Sequence, residues 1–173
     1  MDRLTVCCAE ISPAASAKGQ KSGPANKRVR PHSSCVKYVA QVAMGYDQAQ
    51  TLRAIREAEA YPGPSIIIAY CPCLEHGIKA GMGCTQTEMK KAVECGYWHL
   101  YRYDPRLAAA GKNPFQLDSP EPDTDKMMEY LKGENRYASL ANNFPGKAEA
   151  MYKKTIRDAK ERYSKYKKMA ESW

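Results

Sequence analysis

Two apolar stretches near the middle of the chain predict β-strands with a helix between them. Along residues 36–44 every second position is apolar (Val36, Tyr38, Ala40, Val42 and Met44), which is the period of a strand. Residues 65–70, Ser-Ile-Ile-Ile-Ala-Tyr, form a continuous apolar run, typical of a strand covered on both faces. Between them, residues 48–60 predict a helix that Tyr-Pro-Gly-Pro (61–64) ends, because proline cannot continue it. Its apolar positions recur every three residues, at Leu52, Ile55 and Ala58.

The same pattern continues into a second helix and a third strand. Thr85 and Glu88 have the spacing of a capping box, and Gly96 predicts the end of the helix that follows. Residues 98–103 then alternate again. We therefore expect a right-handed βαβ unit extended by one more helix and strand, which is an α/β fold with a partial doubly wound parallel sheet over 36–104.

The C-terminal third predicts an irregular segment and then helices. Residues 104–124 contain four prolines and are expected to wrap over the surface without packing as an element. Helices are expected at 124–132, 134–142 and 146–171, the last one amphipathic and solvated. The predicted organisation is a disordered basic segment (1–35), half of an α/β domain (36–104), a wrapping segment with short helices (105–145) and a C-terminal amphipathic helix (146–173).

Composition narrows the classes of function. The net charge of +8 lies mostly in residues 1–35 and in the segment from Gly146 onward, around a nearly neutral middle. This distribution does not favour a nucleic-acid partner, which would need positive charge gathered on one face. Lys27, Arg28 and Arg30 form a basic cluster that suits localisation or phosphate binding, although a solvated tail is the simpler interpretation.

The expected cellular compartment determines the interpretation of the seven cysteines. No apolar run approaches the length of a membrane span, and the N-terminal apolar stretch is too short for a secretory signal. We therefore expect a cytoplasmic protein with no membrane partner. An odd number of cysteines in that compartment predicts free thiols, metal ligands or redox groups before it predicts disulfides.

The loop after the second strand is the predicted place for chemistry. In an open α/β sheet, ligands bind beyond the carboxyl ends of the strands, where Cys71, Cys73, His76 and Cys84 follow. These residues could hold zinc, but structural zinc loops usually use Cys-x2-Cys pairs. Together with Cys95, the cysteines also lack a ferredoxin spacing. The alternatives are semi-buried inert thiols, or one cysteine that supplies a single ligand to a site built mainly by another segment.

The remaining candidate residues have plainer interpretations. Cys35, Cys84 and Cys95 suit inert packed thiols, and Cys7 and Cys8 fall in the N-terminal segment. His76 is expected to be a solvated loop histidine and His99 a packed one. Glycines 77, 81 and 83 permit positive φ in the loop. The chain has no P-loop, no dinucleotide-binding fingerprint and no nucleophile elbow, so no catalytic residue and no complete cofactor site is predicted.

Three long stretches carry a resemblance to a known family. They are YVAQVAMGYDQAQTLRAIREAEAYPGPSIIIAYCPCLEHGIKAGMG, KKAVECGYWHLYRYDPRLAAAGKNPFQLDSPEPD and ENRYASLANNFP. Over about 38–170 the chain resembles the C-terminal end of pyruvate:ferredoxin (flavodoxin) oxidoreductase. The resemblance implies oxidative decarboxylation of pyruvate with coenzyme A to acetyl-CoA. The implied cofactors are thiamine diphosphate with Mg²⁺ and 4Fe-4S clusters, and the implied electron acceptor is ferredoxin or flavodoxin.

The resemblance transfers one site residue to this chain. Cys73 occupies the place of the family's fourth ligand to the cluster nearest the thiamine, whereas Cys71 matches no ligand position. The other ligands and the elements that bind magnesium and diphosphate belong to earlier parts of the family enzyme. Residues before Tyr38 depart from the family, which suggests a truncated gene, a fragment or a shifted start.

Two hypotheses follow for the isolated chain. One is a piece of the oxidoreductase that binds no cofactor and is inactive unless the rest of the enzyme, expressed separately, complements it. The alternative is a non-catalytic α/β binding or structural module, with an unpaired strand edge at 36–44 available for association.

Overall fold

The structure is a computed structural model that describes residues 4–9 and 38–172. Within them a mixed β-sheet is covered by helices, with strand order β1-β3-β2-β4-β5. The strands are β1 (Leu4–Ala9), β2 (Tyr38–Val42), β3 (Ser65–Tyr70), β4 (Tyr101–Tyr103) and β5 (Phe115–Leu117). The helices are α1 (Gln48–Glu59), α2 (Thr85–Glu94), α3 (Pro105–Ala109), α4 (Met127–Gly133), α5 (Asn135–Asn143) and α6 (Pro145–Glu171). Short 3₁₀ turns at Met82–Cys84 and Thr124–Lys126 precede α2 and α4.

The predicted strand-helix-strand unit is confirmed. β2 and β3 are parallel neighbours, aligned from Tyr38 with Ser65 to Val42 with Ala69. The Asp47 side chain caps α1 by accepting the Gln50 N–H at 2.8 Å. The predicted buried stripe of α1 is partly wrong, because Gln50, Ala54 and Ala58 are its buried residues while Leu52 is exposed. The buried stripe includes a polar residue, Gln50, and a search for apolar periodicity does not identify a polar residue as buried.

The predicted disorder of residues 1–35 is wrong for part of that segment. Leu4–Ala9 forms an edge strand that runs parallel to β3. Pairing with the exposed side of β3 satisfies backbone groups that a short isolated segment leaves to water, and this long-range contact is not visible in local composition. The basic cluster around Arg28 and the thiol of Cys35 lie outside the described residues.

The third predicted strand runs in the opposite direction to the expected one. β4 is antiparallel to β2, pairing Val39 with Tyr103 and Gln41 with Tyr101. The α/β class is confirmed, but the sheet is mixed and β2 is an inner strand, so the expected unpaired edge at 36–44 is wrong. An alternating pattern specifies which residues share a face and carries no information about strand direction.

The proline-rich segment also contains regular structure. It forms α3 and then β5, which completes an antiparallel pair with β4 from Tyr101–Leu117 to Tyr103–Phe115. Asp104 caps α3 by accepting the Arg106 N–H at 3.0 Å, and Pro105 occupies the first helical position, where no N–H is needed. The expectation of a wrapping segment is therefore wrong at 105–117, because its first proline starts a helix.

The predicted C-terminal helices are confirmed, and the last one is less solvated than expected. Along one face of α6, Ala148, Tyr152 and Ala159 are buried. Further along the helix, the Tyr166 ring lies 5.2 Å from the ring of Tyr101 and 5.9 Å from that of Phe115. One face of α6 therefore belongs to the core and covers the β4-β5 end of the sheet.

Two apolar clusters cover the two faces of the sheet. On the α1 face the cluster contains Tyr38, Ala40, Val42, Ala54, Ala58, Tyr61 and Ile67. On the other face, the aromatic cluster includes Tyr70, Tyr97, Trp98, Tyr130, Tyr137 and Tyr152. Ile67 and Tyr70 belong to different clusters because residues an odd number apart on a strand point to opposite faces. Among the described residues, no helix is both long and apolar enough to span a bilayer.

Candidate functional site

The loop from Cys71 to Cys84 leaves β3 at the edge where the parallel strands β1, β2 and β3 end. Val42 of β2 aligns with Ala69 of β3, so the two strands end at the same level of the sheet. Gly77 and Gly81 have φ of +70° and +91°, as predicted, whereas Gly83 has no positive φ. The loop therefore occupies the position where ligands bind in open α/β sheets.

Cys73 lies inside this loop and contacts a histidine. The residue is only 6% exposed, and its Sγ lies 3.1 Å from Nδ1 of His76. The Gly77 N–H donates to the Cys73 carbonyl at 3.0 Å, which closes a turn whose tip is Leu74, 77% exposed. His76 is exposed, as predicted for a solvated histidine, and its contact with Cys73 was not predicted. A protonated Nδ1 at this distance can donate a hydrogen bond to a thiolate.

The junction between α4 and α5 holds the far side of the loop. The Lys79 N–H donates to the Gly133 carbonyl at 3.0 Å, and the Asn135 N–H donates to the Gly77 carbonyl at 3.3 Å. The Asn135 amide also donates through Nδ2 to the His76 carbonyl at 2.9 Å. A β-bridge between Ile78 and Glu134 lies between these bonds. The loop backbone is thus tied to residues 133–135, which are distant in sequence.

Glu134 places a buried carboxyl group behind the loop. It is 3% exposed, and its Oε1 accepts hydrogen bonds from the hydroxyls of Tyr70 at 3.2 Å and Tyr130 at 3.5 Å. The two tyrosine hydroxyls also lie within hydrogen-bond distance of each other. Because each hydroxyl has one proton, Tyr130 can donate to the Tyr70 hydroxyl while Tyr70 donates to Glu134. Burial raises the pKa of Glu134, although the tyrosine donors act in the opposite direction. Burial also raises the pKa of Tyr70 and Tyr130, so both remain protonated donors.

Glu88 is a second buried carboxyl group beside the same junction. It is 2% exposed, its Oε1 has no hydrogen-bond partner among the described residues, and its Oε2 lies 3.6 Å from Lys91 Nζ. Burial raises its pKa. A Cβ on Gly133 would lie 2.9 Å from Oε1, so the end of α4 approaches this carboxyl closely.

The predicted capping box at the start of α2 is wrong. Thr85 donates through its hydroxyl to the Met82 carbonyl in the preceding 3₁₀ turn, at 2.5 Å, and Cys84 is the N-cap without a side-chain capping bond. Glu88 is turned into the interior instead of back to the helix terminus. The packing of Glu88 against α4 therefore overrides the local motif.

The other predicted thiols and imidazoles behave as packed groups. Cys71 and Cys84 are half-buried, and Cys84 donates to the Ala80 carbonyl at 3.6 Å. Cys95 is buried 3.6 Å from the Met127 sulfur, as predicted for a packed thiol, and burial raises its pKa to about 12. His99 is buried beside Tyr163 and Tyr166, as predicted. For Cys7 and Cys8 the structure describes the backbone strand but not the side chains.

The geometry of Cys73 fits one ligand and not a whole metal site. Within the part of the chain that the structure describes, no three cysteine, histidine, aspartate or glutamate side chains are grouped to hold a metal ion. Cys73 nevertheless lies at the ligand-binding edge of the sheet, on a turn with an exposed tip and beside a ring nitrogen that can stabilise a thiolate. The described residues of this loop therefore offer one thiolate, from Cys73, without a group of three ligands around it.

Sequence reasoning missed the groups that support the loop. Glu134 and Asn135 carry no recognisable motif, the motif that includes Glu88 predicts a helix cap, and α4 and α5 are far from the loop in sequence. The composition held one signal, since 12 tyrosines against 2 phenylalanines indicate an aromatic core with hydroxyl groups to satisfy.

Comparison with known proteins places this segment in a larger context. No family model matches the chain. It is 60% identical over 135 residues to a pyruvate-flavodoxin oxidoreductase of Enterobacter agglomerans and 56% identical over 133 residues to that of Klebsiella pneumoniae. It is 55% identical over 134 residues to a pyruvate:ferredoxin oxidoreductase of Moorella thermoacetica. These matches span 77 to 78% of this chain but 11% of each relative.

Proposed function

We propose that this chain supplies the C-terminal part of the thiamine-diphosphate-binding domain of a pyruvate-flavodoxin or pyruvate:ferredoxin oxidoreductase. The chain belongs to this family, because it is homologous to one segment of the family's members. The complete enzyme would convert pyruvate and coenzyme A to acetyl-CoA and CO₂. The two electrons released would pass through iron-sulfur clusters to ferredoxin or flavodoxin. The proposal is carried by the identity of 55 to 60% over most of the chain.

We assign Cys73 the role of a single 4Fe-4S cluster ligand. A bound cluster would supply one-electron transfer, and the chain's own residues would supply and orient one thiolate. The support is geometric: Cys73 lies at the carboxyl edge of the parallel strands, and His76 Nδ1 lies 3.1 Å from its sulfur. Cys71 is the natural comparison, because it belongs to the same loop and matches no ligand position.

The remaining parts of the proposed site would come from other polypeptide. The sequence has no Gly-Asp-Gly triplet that would hold the magnesium of thiamine diphosphate. The chain spans 11% of the relatives' length, which leaves the rest of the oxidoreductase as its partner. We therefore propose that the isolated chain is inactive and binds no thiamine diphosphate, Mg²⁺ or cluster, and that the complete enzyme works in the cytoplasm.

A segment exchange tests this function. Residues 38–172 replace the matching segment of the Enterobacter agglomerans relative, and the chimera is assayed for reduction of flavodoxin that depends on pyruvate and coenzyme A. We expect the chimera to retain this activity, since this chain and the relative are 60% identical over 135 residues. A folded chimera with no pyruvate-dependent reduction would contradict the proposal.

Cofactor analysis of the isolated chain separates the proposal from the non-catalytic module. We expect no stoichiometric iron or thiamine on the purified chain, and recovery of both when the remainder of the relative is expressed beside it. Stoichiometric cofactor on the chain alone would show that the site is complete here and would contradict the proposal. A well-folded chain that does not associate with the remainder would favour the module.

A further inference from the structure

The Cys73 loop has little regular structure of its own. Between β3 and the 3₁₀ turn at Met82–Cys84 it consists of turns and the isolated bridge at Ile78, with Gly77 at φ +70°. Such a segment has many accessible conformations, so a defined direction for one side chain requires contacts from outside the loop.

Glu134 supplies two of those contacts, one through its side chain and one through its backbone. Tyr70, the last residue before the loop, donates its hydroxyl to Glu134 Oε1 at 3.2 Å. The far part of the loop pairs with the backbone of Glu134 through the bridge to Ile78. Glu134 thus connects Tyr70, where the loop begins, to Ile78 in the middle of the loop.

Asn135 extends this connection to Cys73 itself. Its side-chain amide donates to the His76 carbonyl at 2.9 Å and its backbone N–H donates to the Gly77 carbonyl at 3.3 Å. Gly77 in turn donates its N–H to the Cys73 carbonyl at 3.0 Å. Two of these hydrogen bonds follow one another, from the Asn135 N–H to the Gly77 carbonyl and from the Gly77 N–H to the Cys73 carbonyl, and they form the path from the junction to the candidate ligand.

From this geometry we propose that Glu134 and Asn135 are positioning residues for the Cys73 thiol. Glu134 holds the start and the middle of the loop, and Asn135 fixes the turn that sets the separation of Cys73 Sγ from His76 Nδ1. The significance for electron transfer rests on the proposed function, but the positioning itself is a property of this chain. Neither residue touches a cofactor in the role assigned here; both act through the loop.

Thiol accessibility on the full chain tests the positioning. Cys73 is 6% exposed, so its alkylation by iodoacetamide requires the loop to open. The rate is measured for each cysteine by peptide mass spectrometry, with buried Cys95 as an internal reference. We expect Glu134→Ala and Asn135→Ala to raise the Cys73 rate by about tenfold, roughly the effect of losing one hydrogen bond that holds the closed loop.

Two further variants separate positioning from general stability. Glu134→Gln retains an acceptor for the Tyr70 hydroxyl and is expected to stay near the wild-type Cys73 rate. Glu129→Ala on the same α4, where the side chain is 74% exposed, is the matched control and is expected to change nothing. Amide hydrogen exchange should accelerate at Gly77 and Lys79 in Asn135→Ala, whose partly exposed side chain can be removed without opening the core.

The outcomes decide the proposal independently of the iron-sulfur assignment. An unchanged Cys73 rate in folded Glu134→Ala and Asn135→Ala would overturn it. A parallel rise at Cys95 would also overturn it, because that result indicates loosening of the whole core. The experiment uses no cluster, so the positioning can hold even if the segment exchange fails, and the reverse is also true.

Discussion

The two faces of the sheet bury polar groups in opposite ways. On the α1 face, Arg102 of β4 is charged and paired: Nη1 lies 2.6 Å from Glu57, while Nε and Nη2 lie 2.7 and 3.0 Å from Asp118. Burial lowers the pKa of Arg102, but the hydrogen bonds that the guanidinium donates to the two carboxylates outweigh burial, and the net direction is upward. On the aromatic face, burial pushes Glu88, Glu134 and His99 toward their neutral forms.

The difference indicates how each face responds to its surroundings. The stability of the fold around a buried charge depends on its partners, because removing one member of the ion pair leaves the other member buried and unpaired. A buried neutral carboxyl or imidazole depends on pH instead, because ionisation adds a charge that the surroundings do not compensate. The Cys73 loop is supported from the second face, so we expect its environment to be the more sensitive to pH.

The largest expected effect is on the charged face. Arg102→Ala should lower the free energy of unfolding by about 3 to 4 kcal/mol, the lower part of the range for a broken buried pair, since Glu57 and Asp118 are partly exposed. Urea denaturation measures it. Glu57→Gln is the control and should cost less, because Asp118 keeps both of its bonds to the guanidinium. Equal losses in the two variants would contradict the importance of the Asp118 pair.

Acid should destabilise the aromatic face through His99. Burial, followed by the charge of Arg162, lowers the His99 pKa to about 4 from an ordinary value of 6.5. The unfolded chain therefore binds the proton first as the pH falls, and stability present above pH 6.5 is lost toward pH 4, by about 2 to 3 kcal/mol.

The His99→Phe variant isolates this contribution. Phenylalanine can occupy the site beside the rings of Tyr163 and Tyr166 and cannot titrate. Unfolding free energies at pH 7 and pH 4 should differ less in the variant than in the wild type by about that amount. An identical pH dependence in both proteins would show that His99 is not the group responsible.

A smaller effect with the opposite pH dependence is expected at Glu88. Its raised pKa means that stability is complete at low pH and declines as the carboxyl ionises with rising pH. Glu88→Met should therefore stabilise the chain by about 1 kcal/mol at pH 8, since it removes a buried oxygen without a partner, and by less at pH 4. Chemical denaturation at both pH values measures this. A variant less stable than wild type at pH 8 would show that the Lys91 contact outweighs burial.

The sequence predicts local elements well and long-range arrangement poorly. β2, α1 and β3 follow from a period of two, a helical segment and an apolar run bounded by turns. The place after β3 predicts the loop that holds Cys71, Cys73, His76 and Cys84, and only the family resemblance singles out Cys73 among them. The direction of β4, the pairing of Leu4–Ala9 with β3 and the approach of Glu134 to the loop each depend on contacts between distant residues. Alternation, composition and capping motifs contain no information about such contacts.

The role of Cys73 is tested most directly by electron paramagnetic resonance of the reduced chimera described above. The spectra compare the unaltered chimera with its Cys73→Ser and Cys71→Ser variants, each with iron measured per chain. We predict that Cys73→Ser loses or alters the signal of one cluster, while Cys71→Ser retains the full set of signals. A Cys73→Ser chimera with undiminished cluster signals and iron content would contradict the assignment of Cys73 as a cluster ligand.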